Sequence, residues 1–226
     1  MITEPIYALR PGLPPLPDHM KALPLDTRGL PIPWFVATLA DGSRDFRIAD
    51  SAKRQRAVKS NLCWVCGNKV HRTFAFVVGP MCVCTRTTSE PPCHVDCAIW
   101  SAQACPFLSR PRMRRNAKGL AEIDDVHAAP GLHLPRNPGA TGVYLTRGYK
   151  LFAVGRNHQW LIRMGEATMV YWFAEGRSAS RAEVQASIDS GLPLLQAEAD
   201  KEVDKAGAHA ELAACVARAA QLLPAA

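Results

Sequence analysis

No run of apolar residues in this chain approaches the ~20 needed to cross a bilayer, so no membrane partner is expected. The opening residues, Met1-Ile2-Thr3-Glu4-Pro5, lack the basic and apolar regions of a secretory leader. These absences lead us to expect a cytoplasmic protein. Thiols stay reduced in that compartment, where clustered cysteines signal metal rather than disulfides. There is also no GxSxG, no P-loop and no HExxH, so the hydrolase, NTPase and metalloprotease chemistries those motifs support have no footing. Acidic residues nearly vanish from one segment: residues 51–119 hold Glu90 and Asp96 alone.

That segment carries the chain's charge. It contains twelve Lys/Arg against two acids, a net of +10; the rest carries fifteen against eighteen, a net of −3, and the whole chain +7. A basic block between mildly acidic flanks calls for an anionic partner. With 226 residues, 48% of them hydrophobic, the chain can build a sizeable core, so a metal need not carry the whole fold.

The cysteines share the basic block. Cys63, Cys66, Cys82, Cys84, Cys93, Cys97 and Cys105 fall together, whereas Cys215 lies in an alanine-rich helical pattern and reads as a small core residue. Cys63-x-x-Cys66-Gly67 is a knuckle: two thiolates so spaced chelate one ion when the chain turns tightly, and Gly67 permits that turn. His94 and Cys97, spaced i, i+3, share one face of a helix beginning behind Pro91-Pro92. Together they predict a Zn²⁺ site of Cys63, Cys66, His94 and Cys97. Four protein ligands close a tetrahedral shell and leave no place for a catalytic water. Cys93, at i, i+4 from Cys97, is the alternative to His94. Cys82 and Cys84 are open to a second site with Cys93 or Cys105, or to service as small buried apolar residues.

Around the knuckle, residues 1–33 form a proline-rich arm, extended or laid over the core. A basic zinc module spans residues 34–120. It has a strand over 33–39 ended by Asp41-Gly42, a second extended piece at 46–48, and a basic helix over 52–60 capped by Asp50 or Ser51. A hairpin follows, with strands at 73–78 and 81–85, then a helix over 92–104. Residues 109–118 read as an extended basic strap. Residues 140–226 read as an antiparallel meander (143–146, 149–154, 160–164, 168–173) and two helices. The first helix opens on the Ser180/Glu183 capping box and stops near Gly191; the second runs from Pro193 to about Leu223. The fold class is therefore α+β.

Knuckle, hairpin and helix N-terminus in that order resemble the treble-clef zinc finger over residues 60–105. Treble clefs include the HNH nucleases, which use a hairpin His as general base. His71 stands on that arm, but the family's Asp-His start and its later Asn and His have no counterparts here, so a surface His is the better reading. The phrases Cys63-Trp64-Val65-Cys66-Gly67, Gly79-Pro80-Met81-Cys82, Ser89-Glu90-Pro91-Pro92, Ala104-Cys105-Pro106-Phe107-Leu108 and Trp172-Phe173-Ala174-Glu175-Gly176-Arg177 resemble a family of uncharacterised small zinc-binding proteins of bacteriophages and mobile elements of high-GC bacteria. That resemblance implies a phage accessory role and no known activity.

The expected function is nucleic-acid binding, to DNA or RNA, by Lys53, Arg54, Arg56 and Lys59 of the basic helix and Arg110, Arg112, Arg114, Arg115 and Lys118 of the strap. Arginine predominates in the strap, which suits bidentate phosphate contacts. The competing reading is a protein-interaction adaptor, or an inhibitor of a host protein, docking on an acidic protein surface. An HNH-like nuclease comes last.

Overall fold

The computed structural model describes residues 8–110, 113–114, 116, 136–154 and 159–225. After a single 3-10 turn at Asp18–Met20, strands β1 (Val36–Thr38) and β2 (Arg44–Ala49) pair across the Asp41-Gly42 turn. Helix α1 (Ser51–Ser60) follows, its first turn capped by the Asp50 carboxylate, which accepts from the Lys53 N–H at 2.9 Å. Next come β3 (Phe74–Val78), α2 (Pro80–Thr85), β4 (Thr87–Thr88), α3 (Val95–Ala104) and α4 (Pro106–Ser109). The C-terminal half contains β5 (Thr141–Thr146), β6 (Tyr149–Val154), β7 (Gln159–Met164), β8 (Ala167–Ala174), β9 (Arg177–Ser178), α5 (Arg181–Ala199) and α6 (Lys205–Ala220). The mixed helix and antiparallel-sheet class with C-terminal helices is the one expected.

The proline-rich segment is built into the structure from residue 8 onward. Met20 is buried in the core, Leu13, Leu16 and Leu23 pack beside it, and the Trp100 indole N–H donates to the Pro14 carbonyl at 3.0 Å. Of the two placements expected for this arm, the described residues adopt the one over the core.

Three elements differ from the sequence expectation. Residues 80–85 form helix α2 rather than the return strand of a hairpin. Pro80 sits at the first helical position with Gly79 as N-cap, and the Cys82 and Val83 N–H groups donate to the Gly79 carbonyl. Proline's fixed φ starts a helix there, and burial of Val83 and Cys84 against the C-terminal half holds it. The knuckle is therefore followed by strand and helix, not by the hairpin of a treble clef.

The four C-terminal strands are nested rather than laid side by side. β5 pairs with β3 and β8, while the β6–β7 hairpin pairs with β4, giving strand orders β3-β5-β8-β9 and β4-β7-β6. The turns before β6 and before β8 meet where the Gly165 N–H donates to the Gly148 carbonyl at 2.9 Å. A side chain on Gly165 would lie 2.5 Å from that carbonyl.

The last two helices divide at residues 200–204, not near Gly191. α5 runs through Gly191 and Pro193, and Gly191 lies under Met81 with no room for a Cβ. α6 starts where the Asp204 carboxylate accepts from the Gly207 N–H.

Strand β5, between β3 and β8, is buried on both faces, and every one of its residues is buried. Ala75, Val143, Leu145 and Phe173 face a core built around the knuckle, with Trp64, Cys97, Ala98 and Trp100. Phe76, Val78, Tyr144 and Trp172 face a second core containing Val184, Ile188, Ala219 and Leu223 of the C-terminal helices. The cysteine-rich and C-terminal halves thus share one sheet.

Candidate metal centre

The knuckle turn places the first two candidate ligands. Gly67, at φ 77°, closes the turn with its N–H on the Cys63 carbonyl at 2.8 Å. Trp34 lies on Gly67 so closely that a Cβ there would sit 2.7 Å from its ring. The second pair enters from α3. Cys93 is held extended by a two-way backbone bridge to Ala75, so the helix begins at Val95, later than expected, with His94 as its N-cap and Cys97 in its first turn. His94 and Cys97 then both reach the knuckle.

The ligand atoms of Cys63, Cys66, His94 and Cys97 all lie within 4.8 Å of one another. His94 Nδ1 is 3.3 Å from Cys66 Sγ and 3.9 Å from Cys97 Sγ. An ion binding sulfur at ~2.3 Å and nitrogen at ~2.0 Å in a tetrahedron requires ligand separations of roughly 3.5–3.8 Å. The four side chains fit a metal ion with little movement.

The surroundings suit a metal too. The N–H groups of Cys66 and His94 each point at Cys63 Sγ at 3.4 Å, favouring its thiolate. His94 Nε2 lies 2.9 Å from the Lys69 carbonyl. A carbonyl can only accept, so Nε2 carries a proton, and a bound ion would take the place of the proton on Nδ1 and receive its lone pair.

Crowding of sulfurs perturbs their acidities strongly. Hydrogen bonds from Cys66, then Cys93 and Cys97, drive Cys63 far below the usual thiol range. Bonding to Cys63 and Cys66 drives Cys97 far above it. Bonding to Cys63 and Cys66 raises His94 to about 10. A cation at the centre takes over the charge compensation that these protons supply.

The group whose ligand atoms converge contains His94 and not Cys93. Cys93 is buried beside Cys63 as a hydrogen-bonding neighbour, outside the set of four. Cys82 and Cys84 lie on α2 in the second core, where burial pushes both thiols up to about 11. Among the described residues no second cysteine cluster forms. Cys215 is buried as expected. His71 is exposed in a shallow cleft with His19, His94 and Asp96.

The basic candidates separate into two kinds. Arg54 is part of the fold: its guanidinium stacks 3.5 Å from the Trp160 ring centroid and donates to the Ser89 and Trp160 carbonyls, both at 2.9 Å. Burial lowers its pKa to about 10. Lys53 likewise donates to the Val36 carbonyl. Arg56 and Lys59 are exposed, with Arg56 over Trp34. Arg110 and Arg114 are exposed beside a segment fastened by the buried Asn137, whose side-chain amide donates to the Phe107, Leu108 and Arg110 carbonyls. Arg112, Arg115 and Lys118 lie outside the described residues.

The structure adds basic residues beyond those of the basic helix and the strap. Lys69 donates to the Ser60 carbonyl, Tyr149 donates to Asn61 Oδ1, and Arg147 donates to Thr73 Oγ1. These contacts gather the end of α1, the knuckle loop and the β5–β6 turn. Exposed Lys59, Lys69, Arg72, Arg147 and Lys150 come together there, with no acid in residues 54–73 or 147–150. Lys150 also lies directly opposite exposed Arg163 across the β6–β7 pair. Such like-charge pairs are destabilising without a counter-ion. No spacing in the sequence signals this convergence, since it joins residues about 80–100 positions apart through tertiary contacts.

Compared with known proteins, the chain matches no family model, no curated protein and no solved structure. Among the described residues, no helix is long and apolar enough to cross a membrane.

Proposed function

We propose that this is a structural-zinc protein that binds nucleic acid through phosphate contacts on its basic surface. A set of three thiolates and one imidazole at tetrahedral separations suits Zn²⁺ above other common ions, and four protein ligands make the site structural. Zinc there would clamp the knuckle to the start of α3 and so fix the loop carrying Lys69 and Arg72. The thiolate set also supports a cytoplasmic setting, where cysteines stay reduced.

The observation that carries the nucleic-acid reading is the gathering of Lys59, Lys69, Arg72, Arg147 and Lys150 from stretches of sequence that hold no acid, with like-charged Arg163 beside Lys150. Spaced cations suit the phosphate backbone, so binding through them should be sequence-tolerant. The resemblance to phage and mobile-element proteins makes an accessory role during infection part of the proposal.

The test is a salt titration of zinc-loaded protein against labelled single- and double-stranded DNA and RNA. Tight binding that falls steeply with salt supports the reading and identifies the preferred form. The Lys59→Ala/Lys69→Ala/Arg72→Ala variant should weaken binding similarly across sequences and flatten the salt slope. No binding at low salt would overturn it and turn the basic surface toward an acidic protein partner.

A further inference from the structure

The β6–β7 hairpin carries an aromatic ring on its outer side. Trp160, Ile162 and Met164 of β7 turn into the second core, and Tyr149 of β6 packs there with them. Side chains alternate along a strand, so the residues between these face the other way. Cross-strand register sets two rows on that outer face: Lys150 opposite Arg163, and Phe152 opposite Leu161. Lys150 and Arg163 are exposed. Phe152 and Leu161 are half-buried and, among the described residues, belong to neither core. The Arg163 guanidinium lies over the Phe152 ring at 5.4 Å from its centroid, against 3.5 Å for Arg54 on Trp160. It attends the ring without the close stacking that covers Trp160.

No carboxylate answers these charges. Residues 136–165 contain Arg136, Arg147, Lys150, Arg156 and Arg163 and no acid. Among the described residues, neither Lys150 nor Arg163 takes part in an ion pair. Glu166, the next acid along the chain, is held by Arg86.

We propose that the outer face of the β6–β7 hairpin binds single-stranded nucleic acid, with an unpaired base stacked on Phe152 and the adjoining phosphates on Lys150 and Arg163. This rests on the nucleic-acid reading above and adds to it the form of the strand. Bases paired and stacked in a duplex hide their faces from a side chain, whereas a single strand offers them. Rows two residues apart along a strand are separated by roughly 7 Å, a gap that one nucleotide bridges from base to phosphate. Every base has a face that suits the ring, so sequence tolerance is kept. Bound phosphates also supply the counter-ion that the Lys150/Arg163 pair lacks.

Titration of the full zinc-loaded chain with labelled oligo(dT), oligo(rU) and a DNA duplex tests this. The wild type should prefer single strands to the duplex, and the tighter of the two single strands identifies the sugar. Phe152→Leu keeps an apolar side chain opposite Leu161 but removes the ring. It should weaken single-strand binding about 10-fold and leave duplex binding and the salt slope unchanged, because no cation is lost. Phe152→Tyr keeps the ring and should bind as the wild type does. Irradiating wild type bound to an iodouracil-substituted single strand should crosslink Phe152, a readout independent of how the variants fold. A wild type that prefers the duplex would overturn the proposal. So would a Phe152→Leu protein that keeps full affinity or loses single-strand and duplex affinity alike, a Phe152→Tyr protein as weak as Phe152→Leu, or crosslinks confined to other residues. Each of these leaves phosphate binding by the basic surface standing. A wild type that binds no nucleic acid at low salt would overturn both readings.

Discussion

The imidazole of His19 lies flat on that of His94, with ring centroids 4.0 Å apart and planes 8° from parallel. His94 supplies a candidate metal ligand, and His19 belongs to the proline-rich segment next to the buried Met20. The segment therefore covers the one imidazole of the site and limits the exchange of that ligand with water. His19→Ala should leave metal stoichiometry unchanged but speed metal loss to a chelator, with faster amide exchange over residues 14–23. His19→Phe keeps a flat ring and should restore the slower loss. Equal rates in all three proteins would show that the stack does not guard the site.

Cys63→Ser and Cys97→Ser should each abolish stoichiometric metal binding and unfold the cysteine-rich region, because metal binding in such sites is folding free energy. Cys93→Ala should retain one equivalent of metal, since Cys93 lies outside the ligand set. Elemental analysis with thermal melts separates the two behaviours. A full equivalent of metal and an unchanged melt in Cys63→Ser would remove the site assignment.

Metal binding near pH 7 should release protons. In the metal-free cluster the Cys97 thiol is pushed far up and His94 is raised to about 10, both by bonding to Cys63 and Cys66. Both groups thus hold protons at neutral pH that a metal must displace, so these two at least are released. The sign follows: affinity rises with pH and falls with acidification. Calorimetry in buffers of different ionisation enthalpy counts the protons, and a buffer-independent heat would contradict this account.

Arg54 and Lys59 share a helix but should behave oppositely. Arg54→Ala removes a guanidinium stacked on Trp160 and strands two carbonyls, and should cost about 1–3 kcal/mol of stability. Lys59→Ala changes an exposed side chain and should leave the melt within about 0.5 kcal/mol of wild type. Denaturant unfolding of the two variants decides, and a stable Arg54→Ala protein would return that residue to the candidate phosphate contacts.

Gly67→Ala should destabilise the knuckle by more than ~1 kcal/mol, because its φ of 77° disfavours any side chain. The new methyl would also press on Trp34. A Trp34→Ala background relieves the second effect and leaves the first. Double-mutant analysis of chemical melts should therefore show a smaller loss there, and an equal loss in both backgrounds would mean that the ring contact contributes nothing.

The sequence by itself determined the features that depend on near neighbours. The CxxC-Gly turn, the Ser180 capping box and the burial of Cys215 all follow from short spacings and local backbone chemistry, whereas the sequence left Cys93 open against His94 and Ser51 open against Asp50. The charge imbalance of residues 51–119 was equally plain, because it needs only counting. Tertiary structure decided what short spacing leaves ambiguous. Residues 81–85 alternate as a strand would, yet Pro80 and burial against the C-terminal half make them helical. β5 to β8 read as consecutive neighbours, yet the close approach of Gly148 and Gly165 nests one pair inside another. Nothing local to Arg54 distinguishes it from Arg56: Trp160, more than a hundred positions away, draws one into the fold and leaves the other in water. Long-range packing selects among local options of nearly equal free energy, and those were the options that the sequence left open.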